Sequence, residues 1–230
     1  MSDKILLRKT RENTVINRTS KGQEKEVLTA LRIVTDRLLQ NFPNIKLEHQ
    51  KRLTLKSVVE HLKKHFPNID FHYEHDSSFM TPDGGFLAIK DKNNNPFYIL
   101  IPEVKNQGTN DLRESEGLGK QSKGNAIERL GKNVIGLRAY FLSEDIFPFI
   151  CFGYGCDFED GSSILDRVVT IAMFGKLNKT YLYNEKQFNR GSFYFRCEKW
   201  SINEMANIMY DIAEKSVLYY FSKYGSDIFE

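Results

Sequence analysis

An α/β architecture, a mixed central sheet flanked by helices, is the fold class this sequence predicts. Three observations carry it. Apolar residues recur at helical spacing in several long stretches, short apolar runs bounded by turn residues read as strands, and the two kinds of segment alternate along the chain. At 230 residues the chain has room for one substantial core. No linker, repeat or low-complexity tract divides it, so a single domain is expected over 21–230, behind a polar, unpatterned and flexible arm at 1–20.

The elements follow in order. Val27, Leu31, Val34 and Leu38 mark a helix over 22–41, and Leu55, Val58, Val59, Leu62 and Phe66 mark a second over 54–66. A short strand is expected at 71–74. A hairpin over 86–105 turns at Lys92-Asn93-Asn94-Asn95, residues that suit a tight turn. The polar stretch 106–123 reads as a loop. A helix from 125 to 142 buries Ile127, Leu130, Val134, Leu137 and Phe141. The continuous apolar run 147–154 is a central strand, 163–173 is helical, and 181–184 and 192–197 are shorter strands. Ser201 and Glu204 form a capping box for a final helix bearing Met205, Met209, Ile212, Val217 and Tyr220.

Composition excludes several classes. Charged residues are 27% and hydrophobic residues 40%, ordinary for a globular domain. No apolar run reaches membrane-spanning length, and no leader-like apolar stretch opens the chain; a cytoplasmic protein without membrane association is expected. Cys151, Cys156 and Cys197 form no disulfide framework. Cys151 lies in an apolar strand, so a core thiol is the better reading than half a zinc site. His72 and His75, three apart on the expected strand, face opposite ways and make poor ligands. The net charge of +3 is small, but residues 1–65 hold fifteen Lys/Arg against seven Asp/Glu. That footprint suits a polyanion; a solvated helix surface explains it equally well.

Two strings carry the chemistry: Pro82-Asp83-Gly84-Gly85, and Glu103-Val104-Lys105 twenty residues on. Residues i and i+2 of a strand share a face, so Glu103 and Lys105 project together. Pairing within the hairpin brings Asp83 to the same place, at a sheet edge. Two carboxylates hold a hard cation such as Mg2+, and the lysine places a positive charge beside a scissile phosphate. Many metal-dependent nucleases build their site this way. The bland alternative is a Pro-Asp-Gly-Gly turn and an ordinary charged strand face, although charge beside strands this apolar is costly unless paired or metal-bound.

A third string is Gly124-Asn125-Ala126-Ile127-Glu128-Arg129. With the first two at this spacing, the chain resembles the EcoRI-like type II restriction endonucleases of the PD-(D/E)xK superfamily. Similar stretches are Leu142-Ser143-Glu144 before Phe147-Pro148, Ser163–Arg167 and Ile208–Ile212, so the likeness runs from about residue 40 to the end.

The resemblance implies a restriction-endonuclease-like fold and a homodimeric, Mg2+-dependent enzyme cutting a short DNA palindrome. Asp83, Glu103 and Lys105 are then catalytic, and Asp83, Glu103 and the backbone carbonyl of Val104 hold the metal. At the helix start, Asn125 can bond adenine N6 and N7, Glu128 can accept from an exocyclic amine, and Arg129 can donate to purine N7; Ala126 belongs to the same string. Without the resemblance, these residues read as a cap followed by solvent-facing charges. Lys132 and Asn133 suit phosphates. Arg167 falls on a family arginine that reads or buttresses the outer base pair, and Lys123 can reach an outer guanine or a phosphate. Two departures stand out. Lys51 occupies the place of an auxiliary family aspartate, with Glu48 the nearest substitute, and Thr170 replaces a second family arginine. The family's shared string accompanies AATT-containing targets, so an AATT core with 5′ overhangs and 5′-phosphate ends is expected. Two alternatives are a DNA-binding protein that no longer cleaves and a structure-directed repair nuclease. The intact Asp, Glu and Lys argue against the first, and the base-reading string argues against the second.

Overall fold

The computed structural model describes residues 15–106, 117 and 125–230. The elements are α1 (Val15–Asn41), β1 (Lys46–Gln50), β2 (Leu53–Thr54), α2 (Leu55–His65), β3 (Phe79–Met80), β4 (Phe86–Lys90), β5 (Pro96–Asn106), α3 (Asn125–Tyr140), β6 (Phe149–Tyr154), α4 (Ile164–Ile171), β7 (Ser192–Arg196) and α5 (Ile202–Tyr224). Five strands form a mixed sheet in the order β1-β4-β5-β6-β7. The β1/β4 and β4/β5 pairs are antiparallel, while β5/β6 and β6/β7 are parallel. The crossovers through α3 and α4 make the parallel pairs possible. Among the described residues, no helix is long and apolar enough to cross a membrane.

Each sheet face has its own apolar layer. On one, Val27, Leu31, Val34 and Leu38 of α1 meet Met205, Met209, Ile212 and Val217 of α5 over Leu87, Ile89, Ile150 and Phe152. On the other, the Ile127–Leu137 stripe of α3 packs with Val58 and Leu62 of α2 and Val168 of α4 over Phe86, Phe149, Cys151 and Phe193. The alternation of β4 and β6 residues between layers is the two-residue period of a strand.

A β-bulge in β5 positions the site. Leu87 pairs with Leu100, but Ala88 pairs with Tyr98, leaving one extra residue in β5. Ile99 and Leu100 consequently both enter the α1/α5 layer. A one-residue shift exchanges the two faces of everything beyond it. Val104 therefore joins the α1/α5 layer, and Glu103, level with Cys151 of β6, falls on the side of α3.

The structure corrects several expectations. Helix α1 begins at Val15, seven residues before the expected start and inside the stretch read as an arm. Residues 71–74 form no strand; the short β2/β3 ribbon takes the local pairing, and His72 is an exposed partner of Glu74. Residues 181–184 contribute only an isolated bridge, Tyr183 to Ile146. Strand β1, mostly polar and at the sheet edge, carried too little apolar signal to be read. Of the expected loop over 106–123, residues 107–116 and 118–123 lie outside the described residues. The capping box at Ser201 and Glu204 forms as expected, and none of the three cysteines is in a disulfide.

His61 of α2 stacks on Tyr140 at 4.1 Å between ring centroids. Burial, helped by neighbouring His65, lowers its pKa to about 4. The unfolded chain therefore binds the extra proton between about pH 6.5 and 4, and stability falls as pH drops through that window. The expected loss at pH 4 is about 1–3 kcal/mol, discounted for the ring's partial solvation. Denaturant unfolding at pH 7 and pH 4.5 should show a smaller acid loss in His61→Phe than in the parent; equal losses would contradict this assignment.

Candidate active site

The Pro-Asp-Gly-Gly string does form a turn: Gly85 N–H donates to Pro82 C=O at 2.9 Å. Two glycines are needed for different reasons. Gly85 adopts φ +69°, a left-handed conformation that glycine reaches without strain. A Cβ on Gly84 would lie 2.4 Å from Pro102 Cγ of β5. That close approach lets Gly84 N–H donate to Pro102 C=O at 2.9 Å, which docks the turn on β5, while His49 of β1 bonds the Gly84 carbonyl at 2.8 Å.

The docked turn delivers Asp83 to Glu103 and Lys105. Asp83 N–H donates to Glu103 Oε2, and Val104 N–H donates to Asp83 Oδ2, both at 3.1 Å. Lys105 Nζ lies 3.3 Å from Asp83 Oδ2 and 3.2 Å from the Val104 carbonyl, and also bonds Glu103 Oε1. The cluster is not at a side edge of the sheet, as expected from the hairpin alone. Strand β5 is the third of five, so the cluster sits at its carboxyl end, where β6 continues alongside.

Electrostatics are severe here because Glu103 is only 2% exposed. Burial pushes its carboxyl well up from the usual range, with Lys105 opposing and Asp83 reinforcing. Burial also works against the Lys105 charge, but Glu103 and Asp83 outweigh it and hold the ammonium above the ordinary lysine range. The Lys105 ammonium thus meets three oxygens, from Asp83, Glu103 and Val104. Those are the oxygens the sequence nominated for a metal, and a hard, all-oxygen donor set suits a divalent cation. Among the described residues no group of three or more His, Cys, Asp or Glu side chains could hold an ion, so the acidic set is this pair. Glu48, the substitute auxiliary carboxylate, is instead ion-paired with Lys90 at 2.9 Å, at the far end of β4.

An open cleft of about 290 Å³ leads to the cluster, lined by Asp83, Val104, Lys105 and Asn106, by Arg129 of α3 and by Gln23 and Glu24 of α1. Glu128, Arg129 and Lys132 are exposed on α3, and Asn133 is half-buried. Arg167 of α4 is exposed, as is Thr170, whose hydroxyl donates to Asp166 C=O at 2.9 Å. Helix α4 lies against α3, with Ile171 beside Gly131. Lys123, Gly124 and the side chains of Asn125 and Ala126 lie outside the described residues. Gln23 and Glu24 escaped the sequence reading. The available signal was a glutamine standing where the α1 apolar stripe extends back one turn from Val27.

Gly84→Ala is expected to lift the turn off Pro102 and move Asp83. A misplacement near 1 Å costs roughly 10²-fold in rate. Cleavage assays beside thermal unfolding check this: a large rate loss with a small stability loss is expected, and wild-type rates would contradict the close-approach argument.

A family model described as restriction endonuclease EcoRI matches residues 10–229. The chain is 30% identical to the type II restriction enzyme RsrI of Cereibacter sphaeroides, over 80% of this chain and 79% of that protein. It is 29% identical to the type II restriction enzyme EcoRI of Escherichia coli, over 67% of this chain and 68% of that protein.

Proposed function

The chain belongs to the EcoRI family of type II restriction endonucleases, and from that premise we propose that it is a Mg2+-dependent homodimer cutting a DNA palindrome with an AATT core. The products carry 5′-phosphates on four-base 5′ overhangs. The observation that carries this reading is the convergence of Asp83, Glu103 and the Val104 carbonyl on the Lys105 ammonium, in a cleft that also holds Arg129.

Asp83, Glu103 and the Val104 carbonyl would hold the Mg2+, which supplies charge neutralisation at phosphate oxygens and makes attacking water more acidic. Lys105 orients that water and donates to a phosphate oxygen. Glu128 and Arg129, exposed at the start of α3, read purine edges with Asn125, while Lys132 and Asn133 fix the phosphate register. Two copies place one centre on each strand, and protein two-fold symmetry matches the palindrome. Arg167 serves the outer base pair. Thr170 spends its hydroxyl on its own helix, so the outer pair is expected to differ from a strict GAATTC or to be degenerate.

Plasmid DNA incubated with Mg2+, Mn2+, Ca2+ or EDTA tests this reading. Cleavage should appear with Mg2+ and Mn2+ and be absent with EDTA. With Ca2+, whose longer and looser coordination misaligns the reactants, the protein should bind without cutting. Sedimentation should give a dimer. Cleavage undiminished by EDTA would overturn the metal assignment.

A further inference from the structure

Arg138 stands in the last turn of α3, half-buried. Its guanidinium binds backbone carbonyls from two other segments. Nε donates to Asn189 C=O at 2.6 Å, and Nη2 donates to Arg190 C=O at 2.8 Å and to Ile171 C=O. Ile171 is the last residue of α4, so the cation caps the negative end of that helix. Burial lowers the Arg138 pKa to about 10, and no carboxylate among the described residues offsets it. Helix α4 is held again two turns earlier on α3, where a Cβ on Gly131 would lie 3.4 Å from Ile171 Cδ1. The turn that ends α4 is costly: Met173 and Phe174 take φ +48° and +59°, left-handed values unusual for bulky residues. Such conformations persist where their surroundings hold them. Arg138 binds Ile171 on one side of this turn, and its partner Arg190 packs on Gly175 on the other.

We propose that Arg138 is a positioning residue for sequence reading: it clamps α4 to α3, so that Arg167 and Arg129 meet the duplex as one body. This deepens the DNA-cleavage reading, which puts Arg129 on the core and Arg167 on the outer pair, and rests on it. Helix α4 has only eight residues, too few to be set by its own hydrogen bonds, so tertiary contacts fix its place. Arg167 stands one turn before Ile171, on the same side of α4. A displacement at Ile171 is therefore carried to Arg167, while Arg129 keeps its place on α3. The rival reading is that Arg138 stabilises the fold and nothing more.

Double-mutant cycles on the full-length protein separate the two, read as single-turnover cleavage of a cognate duplex in Mg2+. Arg138→Met removes the donors and the charge. In the parent, Arg167→Ala should lower the rate about tenfold, the usual loss of one good base contact. In the Arg138→Met background the same change should cost less than about twofold, because Arg167 is already displaced. Arg129→Lys should cost the same factor in both backgrounds. Arg138→Lys, which keeps a cation but reaches fewer carbonyls, gives a second cycle with intermediate coupling should the methionine variant fold poorly. Equal Arg167→Ala losses in both backgrounds, with a lower melting temperature, would leave Arg138 a role in stability alone and overturn the proposal. Coupling to Arg129 as strong as to Arg167 would mean general loosening of α3 and overturn it as well. So would an Arg167→Ala variant that cuts at the parent rate. A parent protein that neither binds nor cuts DNA would overturn the cleavage reading itself, and this inference with it.

Discussion

Replacing Lys105 with alanine is expected to lower DNA cleavage by a factor on the order of 10² to 10³, the usual loss when one preorganised donor is removed from a buried reacting centre. Binding to cognate DNA in Ca2+ should survive. The reason lies in the local balance of charge. Glu103 is nearly inaccessible, and Lys105 contacts it directly and Asp83 at 3.3 Å. Removing the ammonium takes away both the group proposed to face the phosphate and the cation that contacts the two carboxylates. Glu103→Gln should lose cleavage comparably, because an uncharged amide is a poor ligand for a hard cation. Lys105→Arg separates charge from shape: the guanidinium keeps the charge but is planar and larger, so it should not restore the rate. Single-turnover cleavage with saturating enzyme checks all three variants. Wild-type rates in Lys105→Ala or Glu103→Gln would remove these residues from the centre.

The second large effect is expected at Arg129. This side chain is exposed near the start of α3 and lines the same cleft as Asp83 and Lys105. Under the proposed function it would couple base reading to the cutting centre. Arg129→Lys keeps the charge but loses the fork that can donate twice to one purine. A good bidentate base contact contributes about 1–3 kcal/mol of discrimination, roughly ten- to a hundredfold or more. Cleavage at the cognate site should fall by about that factor, while rates at sites with one substituted base pair fall less. Parallel rate measurements on cognate and singly substituted duplexes decide this. A uniform fall across all sequences would mean that Arg129 serves the phosphate backbone instead.

Much of this arrangement was legible in the sequence, and the illegible parts have physical causes. The Val27–Leu38 and Ile127–Leu137 stripes gave the two helical layers because each helix buries only one face. Glu103 and Lys105 were expected to project together because strand periodicity is two, and both meet Asp83. Periodicity could not show the extra residue between Tyr98 and Leu100, because both Ile99 and Leu100 are apolar in any register. Yet that bulge decides which sheet face carries Glu103. The hairpin reading placed the cluster at an edge, since the β5/β6 pairing depends on a crossover through α3 that no local signal encodes. Strand β1 was invisible because an edge strand of Lys46, Leu47, Glu48, His49 and Gln50 has little to bury. Gln23 was passed over because one polar residue at the start of an apolar stripe reads as a frayed helix end.

The most direct measurement is to digest a genome of known sequence with the purified protein in Mg2+ and sequence every fragment end. The expected ends map to one short palindrome containing AATT, with 5′-phosphates and four-base 5′ overhangs. A different or degenerate outer pair is expected as well, because Thr170 replaces the second family arginine. Ends scattered without a common sequence would contradict site-specific cleavage. Ends that share a palindrome lacking AATT would leave the nuclease standing and refute the assigned roles of Asn125, Glu128 and Arg129.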